Sequence, residues 1–499
     1  MFESAQIGHR IDRATYKAEV PALRAALLDA QYELLRRADR AVVILINGVD
    51  GAGRSETVNT LHAWMDPRHI RTEAFGAMTD EDRRWPEMWR FWQVLPPKGR
   101  IGILFGSWYT DPILARVEGR DSHGHFVQRL ERIRQFERML VAEGVVLVKF
   151  WFHLSKAAAK ARLKALASDP RTAWRIGPQQ RKQLKRYDDF IEASDEALRK
   201  TSLGEAPWTV IEGSDECYRH LTAGRRLLSA LRHAAPPAPP VSPVPSSVIE
   251  TAGSEVTLLR SLDYGRRLTR DRYERLLERW QGRLNALSRD PRLRDRSVVV
   301  VFEGMDAAGK GSTIRRLTPA WDARFYRVVP VAAPNENERA QPYLWRFWRY
   351  IPPHGRAVIF DRSWYGRVLV ERVEGFCSQA DWMRAYGEIN AYEEELTEAG
   401  VIIVKFWLAI TPQEQLRRFR ERETTPHKQF KITPEDWRNR EKWPQYERAV
   451  QDMVDRTSTR VAPWHLIASD DKLWSRVAVL RTLAREIERA LDTPRRPRD

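Results

Sequence analysis

Two cysteines, Cys217 and Cys377, are all the thiol chemistry in 499 residues, which excludes a disulfide-stapled scaffold and a cysteine-ligated metal centre. No apolar run approaches the roughly 20 residues that a membrane-spanning helix needs. The opening Met-Phe-Glu-Ser-Ala-Gln has neither the basic nor the apolar region of a secretion signal, so a cytoplasmic location without a membrane partner is expected. Acids are scarce relative to bases: 84 Lys and Arg stand against 67 Asp and Glu, a net charge of +17. Such an excess draws in polyanions at long range. Nucleic acid, acidic lipid and a phosphate polymer all satisfy it.

What is present is one pattern written twice. Ser297-Val-Val-Val-Val-Phe302 runs into Glu303-Gly-Met-Asp-Ala-Ala-Gly-Lys-Gly-Ser-Thr-Ile314, and Ala41-Val-Val-Ile-Leu-Ile46 runs into Asn47-Gly-Val-Asp-Gly-Ala-Gly-Arg-Ser-Glu-Thr57. Gly48 and Gly304 lie 256 residues apart, and the same spacing superposes Trp89-Arg-Phe-Trp92 on Trp345-Arg-Phe-Trp348 and Ser107-Trp-Tyr109 on Ser363-Trp-Tyr365. It also superposes Lys149-Phe-Trp151 on Lys405-Phe-Trp407 and Ala206-Pro-Trp208 on Ala462-Pro-Trp464. A period this long means tandem domains rather than a solenoid of short repeats. The two cysteines fall at non-equivalent places in the repeat and read as solitary packing residues.

Between the copies, His233-Ala-Ala-Pro-Pro-Ala-Pro-Pro-Val-Ser-Pro-Val-Pro-Ser-Ser247 is rich in a residue that lacks the backbone donor and favours extended chain. We therefore expect one domain at 1–232, a semi-rigid linker at 233–250 and a second domain at 251–499. Apolar runs at Ser297–Phe302, Val328–Ala332, Ala357–Phe360, Val401–Leu408 and Trp464–Ile467 alternate with helical stretches. That alternation predicts an α/β fold whose parallel sheet is buried on both faces.

The second copy carries the phosphate chemistry. Gly304-x-x-x-x-Gly309-Lys310 after a strand is the spacing of a phosphate-binding P-loop, in which backbone N–H groups and the positive end of a helix cradle phosphate oxygens while the lysine adds a point charge. Gly311 stands where the usual loop has a metal-binding hydroxyl, and Asp306 lies inside the loop, where its carboxylate repels phosphates unless a divalent cation bridges them. Arg356-Ala-Val-Ile-Phe-Asp361 predicts a strand ending in a second carboxylate, the usual magnesium-holding position of a P-loop enzyme. Asp361-Arg-Ser-Trp-Tyr-Gly-Arg367 adds two guanidinium groups. Lys310, Arg362 and Arg367 are thus the expected phosphate clamp, and Asp306 and Asp361 the expected ligands of magnesium, or of manganese in its place.

Taken together, Gly304-Met-Asp-Ala-Ala-Gly-Lys-Gly311, Asp361-Arg-Ser-Trp-Tyr-Gly-Arg367, Tyr343-Leu-Trp-Arg346 with Ile351-Pro-Pro-His-Gly355, and Ala462-Pro-Trp464 resemble the family-2 polyphosphate kinases. The fused layout resembles the polyphosphate:AMP phosphotransferase branch, over roughly residues 10–230 and 260–490. The resemblance implies a thymidylate-kinase-like parallel sheet flanked by helices, with a helical lid over the phosphates. That lid corresponds to Arg417-Arg-Phe-Arg-Glu-Arg422 through Lys428-Gln-Phe-Lys431 and Asp436-Trp-Arg438. It makes Gly304, Ala308, Gly309, Gly311, Ser312, Arg346, Arg418, Arg422, Lys428 and Lys431 candidate substrate-binding residues. The implied substrates are inorganic polyphosphate and AMP, with ADP as product and no nucleic acid.

In the first copy the equipment is altered: Lys310, Asp361, Arg362 and Arg367 become Arg54, Phe105, Gly106 and Asp111, while Asp50 remains opposite Asp306. A degenerate, non-catalytic first domain is expected, pairing with the second as the subunits of a dimer would, with room for a homo-oligomer beyond the tandem pair. Two other readings stand beside a polyphosphate-dependent kinase. An ATP-dependent nucleoside monophosphate kinase needs less positive surface than this chain carries; a polyphosphate- or nucleic-acid-binding protein without turnover would not need the full lysine, arginine and carboxylate set.

Overall fold

Runs such as Val298 to Phe302, apolar and largely β-branched without alternation, suit a strand covered on both faces, and each of these residues is at most 1% exposed. The computed structural model describes residues 2–76, 78–175, 177, 184–233, 258–426 and 432–493. Strands of the first half are β1 Ala41–Gly48, β2 Ile70–Ala74, β3 Ile101–Phe105, β4 Val145–His153 and β5 Trp208–Glu212. Those of the second are β6 Ser297–Gly304, β7 Tyr326–Pro330, β8 Ala357–Asp361, β9 Val401–Ala409 and β10 Trp464–Ala468. Both sheets are parallel throughout, ordered β2-β3-β1-β4-β5 and β7-β8-β6-β9-β10. The constant spacing of the sequence is therefore a repeat of topology as well. In both halves the central strand, β1 or β6, delivers the glycine-rich loop at its carboxyl end.

The strand expected at Val328–Ala332 lies two residues earlier, at Tyr326–Pro330. It is an edge strand paired with β8 from Tyr326↔Ala357 to Pro330↔Asp361. Arg327 and Pro330 are exposed on it, so Arg327 is tolerated in a position that the apolar run alone would not include. The linker, beyond its first residue, lies outside the described residues.

Each half buries the same ion pair beside its central sheet. Lys149 Nζ lies 2.7 Å from Glu137 and Lys405 Nζ 2.7 Å from Glu393, all four side chains being 0% exposed. Buried charges hold only when their remaining hydrogen-bonding groups are satisfied. Here Tyr109 and Tyr365 donate to the carboxylates at 2.7 Å, Trp108 and Trp364 donate at 3.1 Å, and the carbonyls of Thr201 and Thr457 accept from the lysines. Because both halves keep these residues and these contacts, the network belongs to the fold. Residues that differ between the halves are where a division of labour must lie.

The halves meet through equivalent elements. Trp92, at the end of helix Trp89–Trp92, stacks on Trp348, at the end of helix Trp345–Trp348, with ring centroids 5.7 Å apart. Helices His123–Ala142 and Gln379–Glu398 also pack together. Lys98 N donates to Ala340 O at 2.9 Å, and its counterpart at the constant spacing, His354 N, donates to Arg84 O at 3.0 Å. Reciprocal contacts of this kind are the signature of a two-fold interface. The apolar core runs without interruption from one half into the other.

Candidate active site

Gly304 closes β6 at φ 150, and a Cβ there would lie 2.5 Å from the carbonyl oxygen of Leu408. No other residue fits that turn. The loop continues through Ala307 at φ 63 to Gly309 at φ 106, which caps helix Lys310–Leu317. The hydroxyls of Ser312 and Thr313 donate to Gly309 O at 2.9 and 3.1 Å, bracing the loop from inside, and Ala308 is buried beneath it. The result is a glycine-rich turn whose helix start aims backbone donors outward, the geometry that binds phosphate. A Cβ on Gly311 would lie 3.8 Å from Asp361 Oδ2, so the first turn of this helix faces the carboxylate that ends β8.

Around that turn the charges converge. Lys310 Nζ donates to the loop carbonyls of Gly304 at 2.6 Å and Met305 at 3.4 Å. Arg362 donates from Nη2 to Asp306 Oδ1 at 3.0 Å, and Asn439 Nδ2 donates to Asp306 Oδ2 at 2.9 Å. Glu303, buried, accepts from Ser363 Oγ at 2.8 Å. Burial and then Arg362 push the Lys310 ammonium below its usual range, opposed by Asp306, Asp361 and Glu303. Burial raises Glu303, against the pull of Lys310, Ser363 and Arg362. Burial works against the charge on Arg362, but Asp306, Glu303 and Asp361 outweigh it and hold the guanidinium firmly protonated. A cavity of about 70 Å³ opens beside this cluster, lined among others by Glu303, Asp306, Arg362, Trp407, Asn439 and Tyr446.

Arg362 sits at φ 66, in left-handed backbone that a branched or long side chain rarely adopts; its counterpart, Gly106, has φ 76 in the same turn. The second half thus accepts local strain to place a guanidinium where glycine would be relaxed, and strain of this kind collects at functional sites.

Other expected residues lie elsewhere. Arg367 is 3.1 Å from Glu371 and 3.6 Å from Glu143, with its guanidinium 4.5 Å above the Tyr343 ring, on the side facing the first half. Arg346 donates to Ala332 O at 3.0 Å and lies 3.4 Å from Glu338. Arg418 is 2% exposed and donates to the carbonyls of Ala307, Ser469 and Asp470, so it ties the glycine-rich loop down from behind. The expected lid contains helices Pro412–Thr424 and Pro434–Glu441. Arg422 lies 6.0 Å over Phe419 in the first of these, and Lys428 and Lys431 fall outside the described residues.

Sequence reasoning missed Glu303, Asn439 and Gln415, whose Nε2 donates to Asp306 O at 3.1 Å. For Glu303 a signal existed: at the constant spacing it becomes Asn47, changing together with Lys310, Asp361 and Arg362. In the first half Asn47 donates to Ser107 Oγ at 2.9 Å, so the contact survives while the charge is gone. There Arg54 is ion-paired with Asp50 and lies 5.4 Å over the Phe105 ring, and Asp111 is bound by Arg129 at 2.7 Å. The equivalent cavity persists at about 100 Å³, with a largely apolar lining that includes Ile113, Leu114, Trp151 and Phe190. Among the described residues no three His, Cys, Asp or Glu side chains cluster to hold a metal; the carboxylates that act on Lys310 are Asp306, Asp361 and Glu303. No described helix is long and apolar enough to cross a membrane.

Residues 10–239 and again 267–495 match the family described as Polyphosphate kinase 2 (PPK2). A protein of Pseudomonas aeruginosa called polyphosphate:AMP phosphotransferase is 55% identical over 496 residues, spanning 98% of this chain and 99% of its own. One of the same name from Pseudomonas syringae pv. tomato is 53% identical, again over 98% of this chain and 99% of its own. The crystal structure of a polyphosphate kinase 2 from Pseudomonas aeruginosa resembles this fold with a TM-score of 0.89 at 52% identity, covering 99% of this chain and 100% of that one.

Proposed function

We propose, for a chain that belongs to the polyphosphate kinase 2 family across both of its halves, that it moves the terminal phosphoryl group of inorganic polyphosphate to AMP, forming ADP. The observation that carries this reading is the near-complete, two-half alignment with relatives named for that reaction. In the transfer a P–O bond forms to an α-phosphate oxygen of AMP as the P–O bond to the rest of the polymer breaks, and the polymer leaves one phosphate shorter. The acceptor oxygen is already anionic, so alignment and charge neutralisation are the main demands, and no covalent nucleophile is needed.

The second half supplies both. The loop amides and Lys310 cradle the transferring phosphate, and Arg362, held by Asp306, faces the same space. Asp306 and Asp361 would hold magnesium, or manganese in its place, whose charge offsets the repulsion between these carboxylates and the phosphate oxygens. Two carboxylates suit such a hard cation, which takes its other ligands from phosphates and water. Asn439 and Gln415 keep Asp306 in place through its carboxylate and its backbone carbonyl. Residues 251–499 are read as the catalytic domain and residues 1–232 as its non-catalytic partner. The test is ADP formation from AMP with magnesium and polyphosphate in the absence of ATP. Turnover that requires ATP would turn the assignment into an ordinary nucleotide kinase.

A further inference from the structure

One side chain of the first half reaches the turn that follows β8 in the second. Glu143 follows helix His123–Ala142, and its side chain is 11% exposed. Its Oε2 accepts from the backbone N–H of Tyr343 at 3.2 Å and lies 3.6 Å from Arg367 Nη2, while Oε1 accepts from Arg384. Arg384 is otherwise engaged by Asp381 and Glu388 of its own helix, and Arg367 by Glu371. Arg367 stands five residues beyond Arg362, in the short turn Trp364–Val368 that leaves the end of β8. The acid from the first half thus grips a basic pair and the start of the Tyr343 segment at once.

This arrangement occurs once. At the constant spacing Glu143 becomes Ala399, Arg367 becomes Asp111, Arg384 becomes Gln128 and Tyr343 becomes Glu87. Backbone contacts between the halves are reciprocated, as with Lys98 on Ala340 and His354 on Arg84, whereas side-chain contacts such as Gln341 on Leu95 O and Arg132 with Glu398 also run one way. The Glu143 contacts are made only toward the half that has Lys310, Asp361 and Arg362.

We propose that Glu143 is a positioning residue for the second half's reaction: it presets Arg367 and Arg384, across the boundary between the halves, for the incoming polyphosphate chain. The proposal rests on the polyphosphate-dependent reading given above. A charge-assisted contact fixes the direction of a guanidinium as well as its place, and an arginine left with one acid fewer is free to swing.

The test uses the full-length protein with Glu143→Ala, Glu143→Gln and Glu143→Asp, measuring thermal midpoint, kcat, and KM for polyphosphate and for AMP separately. Glu143→Ala and Glu143→Gln should raise the polyphosphate KM by about tenfold, the scale of one charge-assisted contact, with the AMP KM within about twofold. Glu143→Asp should recover most of the loss. Arg367→Ala should show the same preference for the polyphosphate KM, and adding Glu143→Ala to it should cost little more. If Glu143→Ala fails to fold, the near-isosteric Glu143→Gln decides. An unchanged polyphosphate KM in folded variants, equal changes in both KM values, or fully additive losses in the double variant would overturn the proposal alone. Absence of polyphosphate-dependent turnover in the unaltered protein would remove the reading beneath it, and the proposal with it.

Discussion

Lys310 and Asp361 differ from most charged residues of this basic chain in where they stand: one begins the helix after the glycine-rich loop, the other ends β8 directly opposite. A charge at such a position acts on the transition state with little reorganisation, and losing one is typically worth about 10² to 10³ in rate. Lys310→Ala and Asp361→Asn should each lower turnover on that scale with the thermal midpoint nearly unchanged; near-normal turnover in either would mean that the phosphates sit elsewhere. At this scale the sequence was readable in part. That Lys310, Asp306, Asp361 and Arg362 lie together at the glycine-rich loop was legible because their spacing is dictated by backbone geometry. Glu303 was overlooked although its change to Asn47 at the constant spacing marked it, and Glu143 was not legible because what matters there is a tertiary neighbour, Arg367. Arg418 was legible as a base on a helix, but periodicity does not say that this base points inward to the loop carbonyl of Ala307.

Among the elements, the turn after β8 carries the clearest conflict between comfort and placement. Arg362 holds left-handed backbone that Gly106 holds freely, a conformation costing about 1 to 3 kcal/mol for a residue with a Cβ. Arg362→Gly should therefore leave the thermal midpoint unchanged or raise it while turnover falls by about 10², the loss of one stabilising charge. A clear drop in midpoint would show that the ion pair with Asp306 stabilises more than the turn strains. Strands were the best-read elements. Unbroken apolar runs mark strands covered on both faces, and in the structure each strand of the second half has a twin at the constant spacing. The edge strand β7 was placed two residues late because an edge admits Tyr326 and Arg327, which a buried strand would not.

At the scale of the whole molecule, the interface between the halves contains a carboxyl that is poorly matched to its surroundings. Glu395 lies on the helix that packs against the first half, and its Oε1 is buried without a hydrogen-bond partner. Burial first, then Glu87 from the first half, raises its pKa from 4.5 to about 8, with Met88 and Arg132 opposing and Glu398 reinforcing the shift. In the unfolded chain the group ionises near its ordinary value, so between pH 4.5 and about 8 the folded protein binds the extra proton. Stability should consequently fall as pH rises through that window. Thermal midpoints of the unaltered protein should decline more steeply over it than those of Glu395→Gln, and the variant should be the more stable at its upper end. Parallel slopes would show that the carboxyl is hydrated after all. The counterpart of Glu395 is the buried Met139, so the fold itself accepts an uncharged side chain there.

The reciprocal pair of backbone bonds, Lys98 to Ala340 and His354 to Arg84, has a consequence for how such a molecule can change. In a dimer of identical subunits every substitution near the axis is made twice, and an acid that suits one side is imposed on the other. Joining two copies in one chain lifts that rule: each face mutates alone. Glu143 can then face Arg367 although its own mate is Ala399, and Asp111 can occupy the place of Arg367 without undoing it. A contact of lock against key has become available where identical subunits permit only a handshake.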